Sequence, residues 1–162
     1  MIGYSERRRR GMISMASGSL CRALARRVRH HVGAFRHLWP DFALPIEVHE
    51  FGAGDGRVGD AVREIDPAGS VMQYRGYDID PMRDDVICRD VVARPDTGAD
   101  IVICSLPLRV MNGSGERALH KSNGFVIVGY TLEPFDVPVS GAEVVSRWVP
   151  NFTPAKVWEL VR

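Results

Sequence analysis

The most informative part of the sequence is residues 46–59, which read Ile46-Glu47-Val48-His49-Glu50-Phe51-Gly52-Ala53-Gly54-Asp55-Gly56-Arg57-Val58-Gly59. Strand-forming residues give way to three alternate glycines, and apolar residues then recur at helical spacing up to Ile65. Glycines at such a turn permit positive φ and leave no Cβ between the main chain and a ligand. The following helix directs its first N–H groups at the same place. These features predict a strand–turn–helix unit with a nucleotide-type pocket.

Three interpretations of this turn are possible. Gly54-x-Gly56-x-x-Gly59 matches the dinucleotide fingerprint, in which a pyrophosphate lies at the helix N-terminus. Glu50 before the turn and Asp55 within it would repel a pyrophosphate, whereas both would favour a cationic ligand without phosphate. An ordinary glycine-rich turn without a ligand is the third interpretation, since one glycine motif is weak evidence.

The second predicted strand, residues 71–77, leads into Asp78-Ile79-Asp80. A carboxylate at the end of this strand can accept hydrogen bonds from both hydroxyls of a bound ribose. The spacing from Gly54 to Asp78 fits one βαβ unit. We therefore predict that Asp78 binds the ribose and that Asp80 caps the following turn.

The rest of the chain supplies further elements around this unit. A basic amphipathic helix is predicted from about Ser19, with Ser17 or Ser19 as N-cap, to just before Pro40. Its apolar side predicts packing on the core, and its arginine side remains available to anionic lipid. The remaining predicted strands are residues 85–90, 99–104, 124–130, 143–149 and 155–161.

Two motifs give the chain a family resemblance. Glu50-x-Gly52-x-Gly54-x-Gly56 resembles the first motif of class I S-adenosylmethionine (SAM) methyltransferases, and Gly76-Tyr77-Asp78 resembles the second. The finer likeness is to bacterial phospholipid N-methyltransferases, which are relatives of the ribosomal RNA adenine dimethylases. Four segments carry it: Ser17-Gly18-Ser19-Leu20, Ile103-Cys104-Ser105-Leu106-Pro107-Leu108, Val128-Gly129-Tyr130-Thr131 and Asn151-Phe152-Thr153-Pro154-Ala155-Lys156-Val157-Trp158. The chain departs from this group at Ser105, Gly129 and Thr153, where the group has glycine, glutamine and proline.

The resemblance implies an α/β, Rossmann-like class I methyltransferase fold. Its seven-stranded sheet is mostly parallel and ends in an antiparallel hairpin. The cofactor would be SAM. Asp90 would bind the adenine amino group and the Val91 N–H would meet the ring, although Asp90 could equally be a turn residue at a strand end. The implied cofactor-binding residues are Glu50, Gly52, Ala53, Gly54, Gly56, Asp78, Ile79, Asp90 and Val91.

The implied catalytic residues are Ser105, Leu106, Pro107 and Tyr130. In the resemblance, the carbonyl groups of the first three would orient an acceptor amine. Tyr130 would contact the substrate, although a tyrosine facing the core is the commoner case. Methyl transfer requires mainly positioning and exclusion of water, together with loss of a proton from an amine acceptor.

One face of the predicted sheet is depleted of helices. Only short loops or one-turn helices fit residues 91–98 and 109–123, and prolines exclude a helix from residues 132–141. Glu47 and His49 alternate with apolar residues in strand one, as on a face that water reaches. Strands four and five are nevertheless apolar on both sides. We therefore predict that a second copy of the chain or another subunit covers them; the alternative is that loops and Trp148 or Trp158 suffice.

Charge is distributed unevenly along the 162 residues, whose net charge is +1. Residues 1–40 contain nine arginines and one acid, whereas the remainder holds 12 basic and 19 acidic residues. We predict a disordered basic tail at residues 1–17 and a single domain at residues 18–162. The basic helix is expected to contact an anionic membrane surface, with nucleic acid as the weaker alternative.

Three unpaired cysteines and the lack of a long apolar run predict a cytoplasmic protein that contacts a membrane peripherally. The histidines lack metal-ligand spacing, so no metal is expected. The favoured function is SAM-dependent N-methylation of an amine acceptor such as a phospholipid head group. An RNA methyltransferase and an inactive SAM-fold binding or regulatory protein are the alternatives.

Overall fold

The structure, a computed structural model, describes residues 16–41, 45–151 and 153–162. A long helix precedes a sheet of seven strands, and two shorter helices and a 3₁₀ turn lie between strands. In chain order the elements are α1 (Gly18–Leu38), β1 (Ile46–Phe51), α2 (Arg57–Ile65), β2 (Met72–Asp78), β3 (Val86–Cys88), β4 (Ile101–Cys104), a 3₁₀ turn (Leu108–Val110), α3 (Ser114–Lys121), β5 (Val126–Leu132), β6 (Glu143–Val149) and β7 (Ala155–Val161).

The strands lie in the order β3-β2-β1-β4-β5-β7-β6. β1 to β5 pair in parallel, and β7 is antiparallel to both of its neighbours, β5 and β6. β6 consequently runs in the same direction as β1. The predicted Rossmann-like sheet with its closing antiparallel pair is confirmed.

The helix α1 packs on the sheet through the apolar stripe that its sequence predicts. Leu20, Leu24 and Val28 are fully buried, and Ser17 caps the helix by accepting the Leu20 N–H on its side-chain oxygen. The helix ends at Leu38, just before Pro40. α1 and α2 together cover one face of the sheet, called here the helix face.

The opposite face, called here the loop face, is covered by α3, by the segments that follow β3, β4 and β5, and by Trp158. No helix occurs in residues 89–100 or 133–142, which are fully described and match the prediction there. Residues 109–123 differ from the prediction, because α3 has eight residues and therefore about two turns rather than one.

One expectation about the loop face needs correction. His49 is only 1% exposed, since its ring nitrogens contact Thr97 Oγ1 at 2.8 Å and Glu47 Oε2 at 3.1 Å; water does not reach it. β4 and residues 126–129 of β5 are buried within the chain itself. The alternative of loops with Trp158 therefore accounts for their burial, whereas Trp148 is 68% exposed and contributes no cover. A partner subunit stays an untested prediction.

The predicted boundary between tail and domain at residue 17 lies close to the first described residues. Ala16 is buried, and Ser17 is bonded through its N–H to Asn151 Oδ1 and through its hydroxyl to the Pro150 carbonyl. The packed part of the chain thus begins at least two residues before residue 18. The prediction of a disordered tail at residues 1–15 falls outside the described residues.

Candidate functional site

The turn between β1 and α2 has the backbone that its glycines predict. Gly52, Gly54 and Gly56 have φ values of 83°, 50° and 76°, in the left-handed region that favours glycine. The N–H groups of Gly52 and Ala53 both donate to the Tyr77 carbonyl, at 2.8 and 3.0 Å. The turn is thereby fixed against the carboxyl end of β2.

Asp78, the last residue of β2, reaches this turn with its side chain. Asp78 Oδ2 accepts the Gly54 N–H at 2.8 Å, and Oδ1 accepts the Asp80 N–H at 2.9 Å. The side chain is largely buried, whereas the adjacent Ile79 is 57% exposed. The structure therefore brings Asp78 to the glycine turn as predicted, and it shows a bond to the turn that the sequence did not indicate. Its role toward a ribose stays a prediction.

The N-terminus of α2 is already filled by charged groups of the chain. Asp55 Oδ1 accepts the Arg57 N–H at 3.3 Å, and Asp55 Oδ2 lies 2.9 Å from Arg57 Nε. Arg83 lies across Gly56, since a Cβ there would be 2.8 Å from Arg83 Cδ, and pairs with Asp60 at 2.7 Å. A carboxylate occupies the place that a pyrophosphate would take in a dinucleotide site, which disfavours that ligand.

Glu50 lies on the helix face beneath the turn, on the same side of the sheet as Asp78. It is fully buried. Ser105 Oγ donates to Oε1 and the Tyr74 hydroxyl donates to Oε2, both at 2.5 Å. Desolvation raises the pKa of this carboxyl to about 7; the two hydrogen bonds oppose the rise, and the charges of Asp55 and Asp78 add to it. Glu50 is therefore a buried acid poised near neutrality beneath the turn.

The segment after β4 packs directly against the glycine turn. A Cβ on Gly52 would lie 3.1 Å from the Leu106 nitrogen and from the Ser105 carbonyl carbon, so a side chain there would have to displace this segment. The Leu106 carbonyl accepts the Leu108 N–H at 2.8 Å, and Pro107 at φ −76°, ψ 63° forms the centre of an inverse γ-turn. The predicted acceptor segment and cofactor turn are thus neighbours, although one of the three carbonyls already has an internal donor.

The other predicted site residues, Asp90, Val91 and Tyr130, have neighbours other than the glycine turn. Asp90 follows β3, and its Oδ1 accepts the Val92 and Ala93 N–H groups at 2.9 and 3.1 Å, as expected of a turn residue; Val91 is buried. Tyr130 is half-buried and packs against the hydrophobic cluster of the helix face. The proposed contacts of these residues with adenine or substrate stay predictions.

Sequence reasoning missed Tyr74 and Arg83. Gly59 and Gly76 are the sequence feature related to Tyr74, because a Cβ on either glycine would collide with the Tyr74 side chain. Arg83 was not identifiable from any local pattern, since its partners Asp60 and Asp85 come from α2 and from the loop before β3.

A concavity of about 500 Å³ lies on the loop face next to the segment that follows β4. Its wall includes Arg109, Glu116 and Ser140, and Glu116 Oε1 accepts the Ser140 N–H at 2.8 Å. Within the described residues, no group of three histidines, cysteines or acids is arranged to hold a metal ion. No helix in the described part of the chain is long and apolar enough to cross a bilayer.

The three cysteines are free thiols. Burial raises the pKa of Cys21 to about 11 and that of Cys104 to about 12. Both are therefore protonated and unreactive near neutral pH.

No protein-family model matches the sequence, and no curated protein matches it by sequence either. Solved structures match in fold. The Escherichia coli protein yhhF, a proposed methyltransferase, is 12% identical with a TM-score of 0.50; the match covers 82% of this chain and 86% of yhhF. The mitomycin 7-O-methyltransferase MmcR is 13% identical with a TM-score of 0.51 over 75% of this chain, which spans half of MmcR's length. Since identity is this low, the likeness establishes the fold alone: the chain has the Rossmann-like fold of class I methyltransferases.

Proposed function

We propose that the chain is a SAM-dependent methyltransferase. One observation carries this proposal: a turn of left-handed glycines is tied to Asp78, stands over the buried Glu50 and touches the Ser105-Leu106 backbone. SAM bound there would supply an electrophilic methyl group on a cationic sulfonium. The surrounding carboxylates suit that cation and disfavour a diphosphate.

The residues around the turn fit the parts of such a cofactor. The glycine turn at residues 52–56 is the segment proposed to hold the methionine end. Asp78 retains lone pairs for ribose hydroxyls because each of its oxygens has one protein donor. The exposed Ile79 offers an apolar surface to a base ring. Asp90 Oδ2 and the Val91 N–H are the groups proposed for the adenine edge.

The proposed acceptor is an amine, such as a phospholipid head group. The Ser105 carbonyl is the group proposed to accept a hydrogen bond from its amino group. The amine must lose a proton before it attacks. That proton can pass to Ser105 Oγ while the Ser105 hydroxyl proton passes to Glu50 Oε1, which is 2.5 Å away. A carboxyl whose pKa is about 7 is well matched to accept it near neutral pH.

The membrane surface remains the proposed location of the acceptor. Arg22, Arg26, Arg29 and Arg36 are exposed on the outer side of α1, while the apolar side of that helix is buried. Contact with lipid would therefore be electrostatic and would leave the packing of α1 unchanged. A cytoplasmic location with peripheral membrane contact is part of the same proposal.

Calorimetric titration with SAM tests the cofactor. The parent should bind SAM, and Gly54→Val should abolish binding because the substitution strains the turn and fills the main-chain approach. Gly98→Val is the matched control: Gly98 also has positive φ, at 74°, but lies in an exposed loop with nothing within 4 Å of an added Cβ. Equal loss in both variants, or a parent that ignores SAM and binds a nicotinamide dinucleotide, would contradict the proposal.

An RNA methyltransferase is the second candidate, favoured by the exposed ring of Trp148 beside Arg147. Co-sedimentation with anionic vesicles, compared with an RNA mobility shift at several salt concentrations, separates the two acceptors. A chain that binds SAM without methylating any acceptor would instead be the inactive binding or regulatory protein.

A further inference from the structure

A cationic cleft lies between α1 and the end of β6, away from the glycine turn. Its volume is about 360 Å³. One wall is formed by α1 and the other by β6 and the turn that follows. The lining residues are Ser19, Arg22, Ala23, Arg26, Ser146, Arg147, Trp148, Val149 and Pro150.

The charge in this cleft is uncompensated. Arg22, Arg26 and Arg147 are exposed, no acid lines the cleft, and within the described residues none of the three has an ion-pair or hydrogen-bond partner. The neighbouring Arg27, by contrast, is paired with Glu159 at 2.7 Å. Three arginines that line one concave space without a carboxylate form an environment suited to an anion.

Local backbone geometry holds the second wall in place. β6 loses register with β7 between Ser146 and Val149, and Trp148 has a φ of 58°, which bulky residues rarely adopt. The Trp148 side chain is exposed. The N–H and hydroxyl of Ser17 bond to Asn151 Oδ1 and the Pro150 carbonyl, at 2.8 and 2.7 Å. These bonds tie the start of α1 to the turn after β6, so the two walls are fixed relative to each other.

We propose that this cleft binds a phosphate ester through Arg22, Arg26 and Arg147, with Trp148 forming its apolar wall. Arginine matches phosphate because its planar guanidinium donates two parallel hydrogen bonds. The cleft lies at the same edge of the sheet as the glycine turn, since β6 runs parallel to β1. The β6 wall is four strand spacings from β1, roughly 19 Å at about 4.8 Å per strand. The cleft would hold a phosphate group separate from the reacting amine, and in this sense the inference goes beyond the proposed function.

The test uses the full chain with three probes: inorganic phosphate, glycerol 3-phosphate, and phosphatidylcholine vesicles with and without phosphatidylglycerol. Calorimetry measures the soluble probes and co-sedimentation the vesicles, at one fixed low ionic strength. Arg26→Gln and Arg147→Gln should each weaken binding about tenfold, as expected for loss of a charge-assisted hydrogen bond. Arg117→Gln is the control, because it removes the same charge from an exposed helical site on α3, outside both the cleft and α1.

Loss in the cleft variants alone supports the proposal. Binding of glycerol 3-phosphate then identifies a soluble phosphate ester as the ligand, and binding confined to phosphatidylglycerol vesicles identifies a lipid head group. Equal weakening by Arg117→Gln, no binding of any probe, or binding of single-stranded RNA alone would overturn it. SAM titration of the same variants keeps the two proposals separate: Arg147→Gln should retain SAM binding, whereas Gly54→Val should retain phosphate binding.

Discussion

On the helix face, Val48 and Ile103 lie beneath two helices; on the loop face, Val102 and Ile127 lie beneath the short α3, three connecting segments and Trp158. All four side chains are fully buried. The helix face is closed by elements whose amphipathic pattern is visible in the sequence. The loop face is closed by separate apolar residues, such as Val91, Leu108 and Val139, on segments that contain neither an α-helix nor a strand. A sheet can therefore be covered on both faces without a helix in every connection, provided that the connections carry apolar anchors.

The largest effect is expected at Gly129 on the loop face. A Cβ there would overlap the ring of Trp158, which is fully buried and donates its Nε1–H to Thr131 Oγ1. Because the ring cannot move aside, Gly129→Ala should lower the free energy of unfolding by about 3 kcal/mol, at the upper end of overpacking costs. Chemical denaturation measures this.

Gly59→Ala is the counterpart on the helix face, since its Cβ would collide with the Tyr74 ring. That ring is partly exposed and can shift, so about 1–2 kcal/mol is expected. If Gly129→Ala proves the milder of the two, the loop face is more loosely packed than the structure indicates.

The two faces should also respond oppositely to pH. On the helix face, Glu50 has its pKa raised from 4.5 to about 7, so the folded state holds a proton that the unfolded state releases, and stability falls as pH rises between those values. The fall is of order 3 kcal/mol. Glu50→Gln should abolish it, as measured by denaturation at pH 5, 6 and 7.

On the loop face, desolvation lowers the pKa of His49 below 6.5, despite opposing contributions from Glu47 and Asp100. The unfolded state then binds the extra proton, and stability is lost as pH falls below 6.5. His49→Gln should remove this loss. If either variant leaves the pH profile of the parent unchanged, that group is not the source of the dependence.

Breaking the contact between α1 and β7 should lower the free energy of unfolding by an intermediate amount. Glu159 accepts hydrogen bonds from Arg27 and lies 2.8 Å from His31 Nε2. Desolvation opposes these contacts, but they prevail and lower the pKa of Glu159, so its stabilisation is present above the ordinary pKa and is lost as pH falls. Glu159→Gln should cost about 1–3 kcal/mol near neutral pH. The exposed Glu64 provides the control substitution, for which a change below about 0.5 kcal/mol is expected.

The smallest effects are expected for two helical glycines, one on each face of the sheet. Gly33 lies exposed in α1 with nothing within 4 Å of an added Cβ, so Gly33→Ala should stabilise the chain by about 0.5–1 kcal/mol. In α3, a Cβ on Gly115 would lie 2.6 Å from Leu108 Cδ2, and Gly115→Ala should therefore destabilise the chain. Opposite shifts in melting temperature are expected. Stabilisation by both would mean that α3 is free to move away from the sheet.

The sequence by itself determined the features that depend on neighbouring residues. The absence of Cβ atoms permits the positive φ of Gly52, Gly54 and Gly56, and β6 and β7 have their predicted bounds. The capped amphipathic helix α1 was predictable for the same reason, since its periodicity and its N-cap lie within one segment. Asp78 reached the turn because βαβ spacing brings neighbouring strand ends together.

Only the tertiary structure decided what distant segments do for one another. The alternation of Glu47 and His49 with apolar residues indicated a wet face, but Thr97 and the loops around it bury His49. Burial raises the pKa of Glu50. Its carboxyl accepts hydrogen bonds from Tyr74, which lies on β2, and from Ser105, which follows β4. The cationic cleft likewise forms between residues 19–26 and residues 146–150, which are far apart in the sequence. Burial and charge pairing depend on which segments are in contact in the folded chain, and local sequence periodicity does not predict those contacts.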